Sequence, residues 1–190
     1  MKIKDEEKYE RILQAASEII ERDGVAAIST TKVAKLAGVP QSNIYIYFKN
    51  KEDLLVQLFK KISGSLGKGQ REILASNLSL EEKIKATIKN MYDFSIKNPD
   101  AMVVIEQVKQ LPELTPYFAA TWGSTENPVM VMLHQAIAEK IVHNIPDNIA
   151  MAIVFTTINR QAQSINEGVY TEKEFGFDEV YNLIWRMFSN

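Results

Sequence analysis

The sequence predicts an all-α protein. Three observations carry this: apolar residues recur at helical spacing through most of the chain, capping residues and prolines punctuate that pattern, and no stretch alternates with the period of a strand. The chain has 190 residues, 46% hydrophobic and 24% charged, which is ordinary globular usage and enough to bury a core.

Ile12, Ala15, Ala16, Ile19 and Ile20 form one apolar stripe, and Gly24 stands where a helix end calls for positive φ. Thr30 to Ala37 reads as a short helix capped by Ser29 or Thr30, with Val33, Ala34 and Ala37 inward and Gly38 ending it. Val39-Pro40 opens a third helix, Gln41 to about Phe48, with Ile44 and Phe48 four apart. Asn50 caps a fourth, whose first turn holds Glu52 and Asp53 and whose apolar face is Leu54, Leu55, Leu58, Phe59 and Ile62. Gly64, Gly67 and Gly69 then predict a frayed, kinked or interrupted end, since each glycine costs about 1 kcal/mol in a helix relative to alanine.

Further on, Ser79 and Glu82 form a capping box, and that helix is expected to end before Pro99. Asp100 caps the next, through about Gln110, and Pro112 and Pro116 mark a loop. A helix with Tyr117, Phe118 and Trp122 follows, broken near Gly123. Pro128 opens a helix to about His143, Pro146-Asp147 another to about Glu167, and the last runs from Phe177 to Phe188. The expected organisation is 1–50 as a helix-turn-helix module, 51–70 as a connecting helix and glycine-containing junction, and 71–190 as a second helical domain.

Composition excludes several chemistries. There is no cysteine, so disulfides, thiolate metal sites and thiol nucleophiles are out. The two histidines, His134 and His143, do not share a helix face at the spacing of a zinc motif, and no metal is expected. Gly64 and Gly69 have the separation of a phosphate-loop pair, but Gln70 follows where Lys is required. No nucleophile motif or cofactor fingerprint appears, so neither catalysis nor a cofactor is expected. The charged N-terminus has no signal-peptide core and no apolar run reaches the roughly 20 residues that span a bilayer, so a cytoplasmic protein with no membrane partner is expected.

The formal net charge of -2 hides an asymmetry. Residues 1–70 hold 12 Lys+Arg against 9 Asp+Glu, a net of +3, which leaves -5 for the remainder. From Ile28 to Lys51 the chain carries Lys32, Lys35, Lys49 and Lys51 and no acid. A short basic segment in an acidic protein is either a solvated face or a small surface meeting phosphates. The two short helices joined through Ala37-Gly38-Val39 have helix-turn-helix proportions, and Gln41, Ser42, Asn43 and Tyr45 are side chains able to bond base edges in a major groove. Tyr47 and Lys51 suit backbone contact.

Thr30 to Leu55 resembles the DNA-binding domain of the TetR family of transcriptional repressors. The shared residues are Thr30, Ala34, Ala37, Gly38 and Val39, then Ile44-Tyr45, Tyr47-Phe48, and Lys51 to Leu55. The resemblance extends over about Tyr9 to Phe59. It implies that Thr30 meets phosphate and Thr31 phosphate or sugar, that Gln41, Ser42 and Tyr45 face the groove with Ile46 near a thymine methyl, and that Tyr47 and Lys51 clamp the backbone. Ser42 and Asn43 stand where many members carry a small or basic residue. A double-stranded operator, an apolar small-molecule effector and a homodimer are the partners it implies.

For effector binding, Met102, Tyr117, Phe118, Trp122 and Met130 supply adaptable and aromatic surface, and Glu106, Gln107, Lys109, His134 and Arg160 are nearby polar groups. The last helix carries two apolar stripes: Val180, Leu183, Ile184, Met187 and Phe188, and separately Tyr181 with Trp185. The helix before it is also apolar over a wide arc, through Ile149, Ile153, Phe155 and Ile158. Two faces need two partners, so Phe155, Ile158, Tyr181 and Trp185 are expected at a dimer interface.

Overall fold

A computed structural model describes residues 5–122 and 127–189, with the side chain of Trp122 outside the description. Among the described residues ten α-helices run in order: α1 Glu6–Asp23, α2 Thr30–Ala37, α3 Gln41–Tyr47, α4 Lys51–Leu74, α5 Leu80–Lys97, α6 Pro99–Lys109, α7 Thr115–Trp122, α8 Pro128–Ala138, α9 Asp147–Asn166 and α10 Phe177–Phe188. Two short 3-10 turns, Val25–Ala27 and Pro112–Leu114, sit between α1 and α2 and between α6 and α7. Among the described residues there is no strand, only an isolated bridge between Val142 and Ser189.

The chain forms two compact units: Met1–Gly64 with Asp100–Pro116, and Ser65–Pro99 with Tyr117–Asn190. In the first, α1 packs on α2 and α2 on α3. Ile12, Leu13, Ala16, Ile20, Val33, Ile44, Phe48, Leu54, Leu55 and Leu58 are all buried there. At about 1.5–3 kcal/mol for each large aliphatic side chain removed from water, that burial is what holds helices as short as α2 and α3, which would not persist alone.

In the second unit α5 packs on α8, α9 and α10, and α10 packs on α9. One core joins Ile88, Tyr92, Ala136, Val142, Ala150, Ile158, Val180, Tyr181, Ile184 and Phe188. Beside it runs an aromatic ladder along α10. Phe177 stacks on Tyr181 with ring centres 5.7 Å apart, and Tyr181 on Trp185 at 5.9 Å. Lys85 from α5 lies over Tyr181 at 5.0 Å and Lys89 over Phe177 at 5.3 Å, so α5 covers this side of α10 with its lysine stems.

Two expectations are corrected. Helix α4 is not interrupted at its glycines; it continues to Leu74. Gly69 lets Asn90 of α5 lie against the α4 backbone, where its side-chain amide donates to the Leu66 carbonyl at 3.1 Å and to Gln70 Oε1 at 3.4 Å. Helix α8 stops at Ala138 rather than His143, because Lys140 turns left-handed (φ 59°) and His143 N–H donates instead to the Phe188 carbonyl at 2.7 Å. On α9 and α10 the residues expected at a dimer interface differ in exposure within the single chain. Ile158 is fully buried and Tyr181 nearly so, both in the core of their own unit, while Phe155 and Trp185 are half-buried. The apolar surface that α10 leaves exposed carries Leu183 and Met187, 49% and 58% accessible.

Candidate nucleic-acid interface

Helix α2 begins where the sequence places its cap: the Ser29 hydroxyl accepts from the Lys32 N–H at 3.2 Å. It ends at Gly38, whose φ of 64° and ψ of 38° put the backbone in the left-handed region. Val39 N–H then reaches back to the Ala34 carbonyl at 3.0 Å, closing the helix end and reversing the chain within three residues. Ala34 and Ala37 are buried, and their small side chains allow the close approach of α2 and α3. Pro40 is the N-cap of α3, which needs no donor from it.

With Ile44 turned fully inward, the outward arc of α3 is fixed by the 100° step of the helix. Gln41, Ser42, Tyr45 and Ile46 are exposed and Asn43 is half-buried. Tyr45 is 56% accessible, a large aromatic with its hydroxyl in solvent. That hydroxyl lies 3.4 Å from the Thr30 hydroxyl, and Gln41 Nε2 donates to the same Thr30 oxygen at 3.5 Å. Thr30 at the start of α2 and the exposed face of α3 therefore form one polar surface, with Thr31 exposed beside it.

The far end of α3 is more constrained. The Tyr47 ring packs near Tyr9 and Phe48, with centres 6.2 and 6.3 Å away, and its hydroxyl accepts from the Asp5 N–H at 3.2 Å. That bond leaves the phenolic proton available to donate outward. Asp5 caps α1 and pairs with Lys8 at 2.9 Å; the Lys8 ammonium, and then its backbone N–H, hold the Asp5 carboxyl below its ordinary value. Lys51 opens α4 and is half-buried, next to the turn in which Asn50 accepts from the Asp53 N–H at 2.8 Å. The eight residues expected on this surface thus fall on the α2 start, on α3 and on the α3–α4 turn of a single unit. All but the half-buried Thr30, Asn43, Tyr47 and Lys51 are exposed.

One long-range contact in this unit has no signal in the sequence. Gln107, on α6, is a polar residue beside the expected effector set, and its side-chain oxygen instead accepts from the Val25 N–H at 2.7 Å. The two residues are 82 positions apart, and no local pattern pairs them.

The residues expected around an effector divide between the units. Met102 is buried and Glu106 and Lys109 are half-buried on α6, in the first. Desolvation lowers the Lys109 ammonium pKa to about 8, against an opposing pull from Glu106. In the second, Tyr117 and Phe118 form an edge-on pair with centres 5.3 Å apart and Met130 is buried. His134 is exposed and bonds Asp147 at 2.9 Å, and Arg160 is exposed. The Trp122 side chain lies outside the described residues. Among those residues no group of carboxylates and histidines is arranged to hold a metal, and no helix is long and apolar enough to cross a membrane.

Two short helices in a tight glycine turn, one with a free polar face, define a helix-turn-helix protein. Residues 12–58 match the family model of bacterial regulatory proteins of the tetR family. The chain is 33% identical over 99 residues to the fatty acid metabolism regulator protein of Bacillus subtilis, an alignment covering 52% of this chain and 51% of that one. It thus spans about half the length of the curated relatives it matches. A proposed transcription regulator from Lactobacillus plantarum, known from its crystal structure, is 30% identical with a TM-score of 0.80, covering 96% of this chain and 98% of that one. The fold is also that of FadR from Bacillus subtilis, whose crystal structure holds stearoyl-CoA (TM-score 0.69, 23% identity, 94% and 96% coverage). The chain belongs to the TetR family.

Proposed function

We propose that this chain is a ligand-responsive transcriptional regulator that binds a palindromic operator as a homodimer and represses until an apolar small molecule releases it. The single observation that carries this reading is the polar surface built from Thr30 and the outer face of α3, presented on an otherwise packed helix-turn-helix. Residues 1–50 bind DNA, 51–70 connect, and 71–190 serve the effector and the dimer. Thr30 and Thr31 bond phosphates, Gln41, Ser42, Asn43 and Tyr45 read bases, and Tyr47 and Lys51 hold the backbone. The protein acts in the cytoplasm, on chromosomal DNA.

The exposed Leu183 and Met187 support a second copy docking on α10, since water is a poor partner for two large apolar side chains one turn apart. Two-fold symmetry then doubles a recognition surface that is small in one copy. The effector is apolar and is released from or taken up by the helical second half. A fatty acyl-CoA is the first ligand to test, because one relative regulates fatty acid metabolism and another holds stearoyl-CoA. Such a ligand shifts the population only by its preference for one state over the other.

The test is selection of the purified protein against random duplex DNA at about 150 mM salt, with the bound pool sequenced. An enriched palindrome is the expected result, and stearoyl-CoA titrated into that complex should lower its occupancy. Binding confined to the non-specific range of roughly 10⁻⁴–10⁻⁶ M, before and after refolding to strip ligand, would overturn the reading.

A further inference from the structure

The 3-10 turn between α1 and α2 has an N-terminal N–H, that of Val25, that its own hydrogen bonds leave over. Within the turn, Ala27 N–H donates to the Gly24 carbonyl and Ile28 N–H to that of Val25. The Val25 N–H points elsewhere, to Gln107 Oε1 at 2.7 Å. Gly24, in the same contact, has a φ of 82°, so the chain leaves α1 by a route closed to most side chains. The turn runs into buried Ile28, then Ser29, then Thr30 and Thr31. Only four residues lie between Val25 and Thr30, and two of them, buried Ile28 and the Ser29 cap, are fixed in place.

We infer that Gln107 is a positioning residue for DNA recognition: by holding the Val25 N–H, it sets where the start of α2 presents the Thr30 and Thr31 hydroxyls. It touches no DNA itself. This rests on the DNA-binding reading above and concerns one residue that reading does not use. The bond is short, links a side chain to backbone, and ties the first unit's distant segment, Asp100–Pro116, to its helix-turn-helix. A side-chain acceptor on a rigid helix fixes a turn more tightly than water does, because water follows the turn when it moves.

Leucine keeps the size of Gln107 and removes the acceptor, whereas glutamate keeps the acceptor. Gln107→Leu should weaken operator binding roughly tenfold, the order expected when a partly buried donor loses its partner, and Gln107→Glu should restore most of it. A loss of packing alone would not be rescued by glutamate. The second readout is a cycle with Thr30→Val/Thr31→Val. In that background Gln107→Leu should cost less than twofold more, since there are no hydroxyls left to place. Hydrogen exchange at the Val25 amide should be slow in the parent and in Gln107→Glu and fast in Gln107→Leu. Should the leucine variant be too unstable to assay, Gln107→Ala takes its place in each measurement. Three results each overturn the inference: additive losses in the cycle, a threonine variant that binds as the parent does, or glutamate behaving like leucine. A parent protein that selects no DNA sequence refutes the regulatory reading instead, so the two failures are separable.

Discussion

Alanine at Gly64 and at Gly69 should have opposite effects, although both lie in the same helix. Nothing stands within 4 Å of a β carbon built at Gly64, and its backbone is helical. Gly64→Ala therefore removes freedom from the unfolded chain at no native cost and should stabilise by about 0.5–1 kcal/mol. At Gly69 the same carbon would sit 2.3 Å from Asn90 Oδ1. Asn90 must move, and moving it breaks its bonds to the Leu66 carbonyl and Gln70 Oε1. Two such bonds are worth about 1–3 kcal/mol together, more than the gain in propensity, so Gly69→Ala should destabilise by about 1 kcal/mol. For a chain of this size that separates the two variants by roughly 3–8 °C in Tm, read by far-UV circular dichroism. In an Asn90→Ala background the clash is gone, and Gly69→Ala should become stabilising like Gly64→Ala. If Gly69→Ala stabilises in the parent, or still destabilises once Asn90→Ala has removed the clash, the close approach of α4 and α5 is not what the glycine serves.

Three further outcomes are expected. Ile158→Ala should cost about 2–5 kcal/mol, as cavity formation at a fully buried site does, while Leu183→Ser/Met187→Ser should leave the stability of the single chain nearly unchanged and reduce the proposed self-association read by sedimentation. Lys51→Ala should weaken DNA binding for all sequences and flatten the salt slope by up to about 1, whereas Tyr47→Phe should weaken it without flattening, because a neutral hydroxyl releases no counterion; altered base preference with unchanged affinity would contradict both roles. Lys109 has a folded pKa of about 8, below its unfolded value of 10.5, so the unfolded chain binds more protons between them and stability must rise with pH over that window. The gap in urea-unfolding free energy between the parent and Lys109→Met should shrink from about 3 kcal/mol at neutral pH toward zero above about pH 10.

The parts of the fold that sequence reveals are those decided within a few residues. Gly38 ends α2, the Ser29 and Asn50 caps open α2 and α4, and the Ser79–Glu82 box opens α5, each a local bond between near neighbours. Ile44 and the outer residues of α3 follow from helical period and a single buried position. Where distant segments decide, the sequence is silent. The glycine cost in α4 is set against an asparagine 21 positions away on α5. Periodicity shows that α10 has two apolar stripes, but not that the first is divided, with Val180, Ile184 and Phe188 buried and Leu183 and Met187 exposed, while Lys85 and Lys89 cover the Tyr181 side. Gln107 is illegible for the same reason: a lone glutamine acquires meaning only from the backbone N–H it meets.

The ladder on α10 also makes the protein its own optical probe. The chain has two tryptophans, Trp122 and Trp185, and Trp185 is stacked on Tyr181, on the other side of α10 from exposed Leu183 and Met187. With Trp122 changed to phenylalanine, all indole emission would come from that one ring. Its colour reports how much water surrounds it, so loss of the ladder when the second unit unfolds should shift the emission to the red. Opening of the second unit then becomes readable in a cuvette, with no label attached.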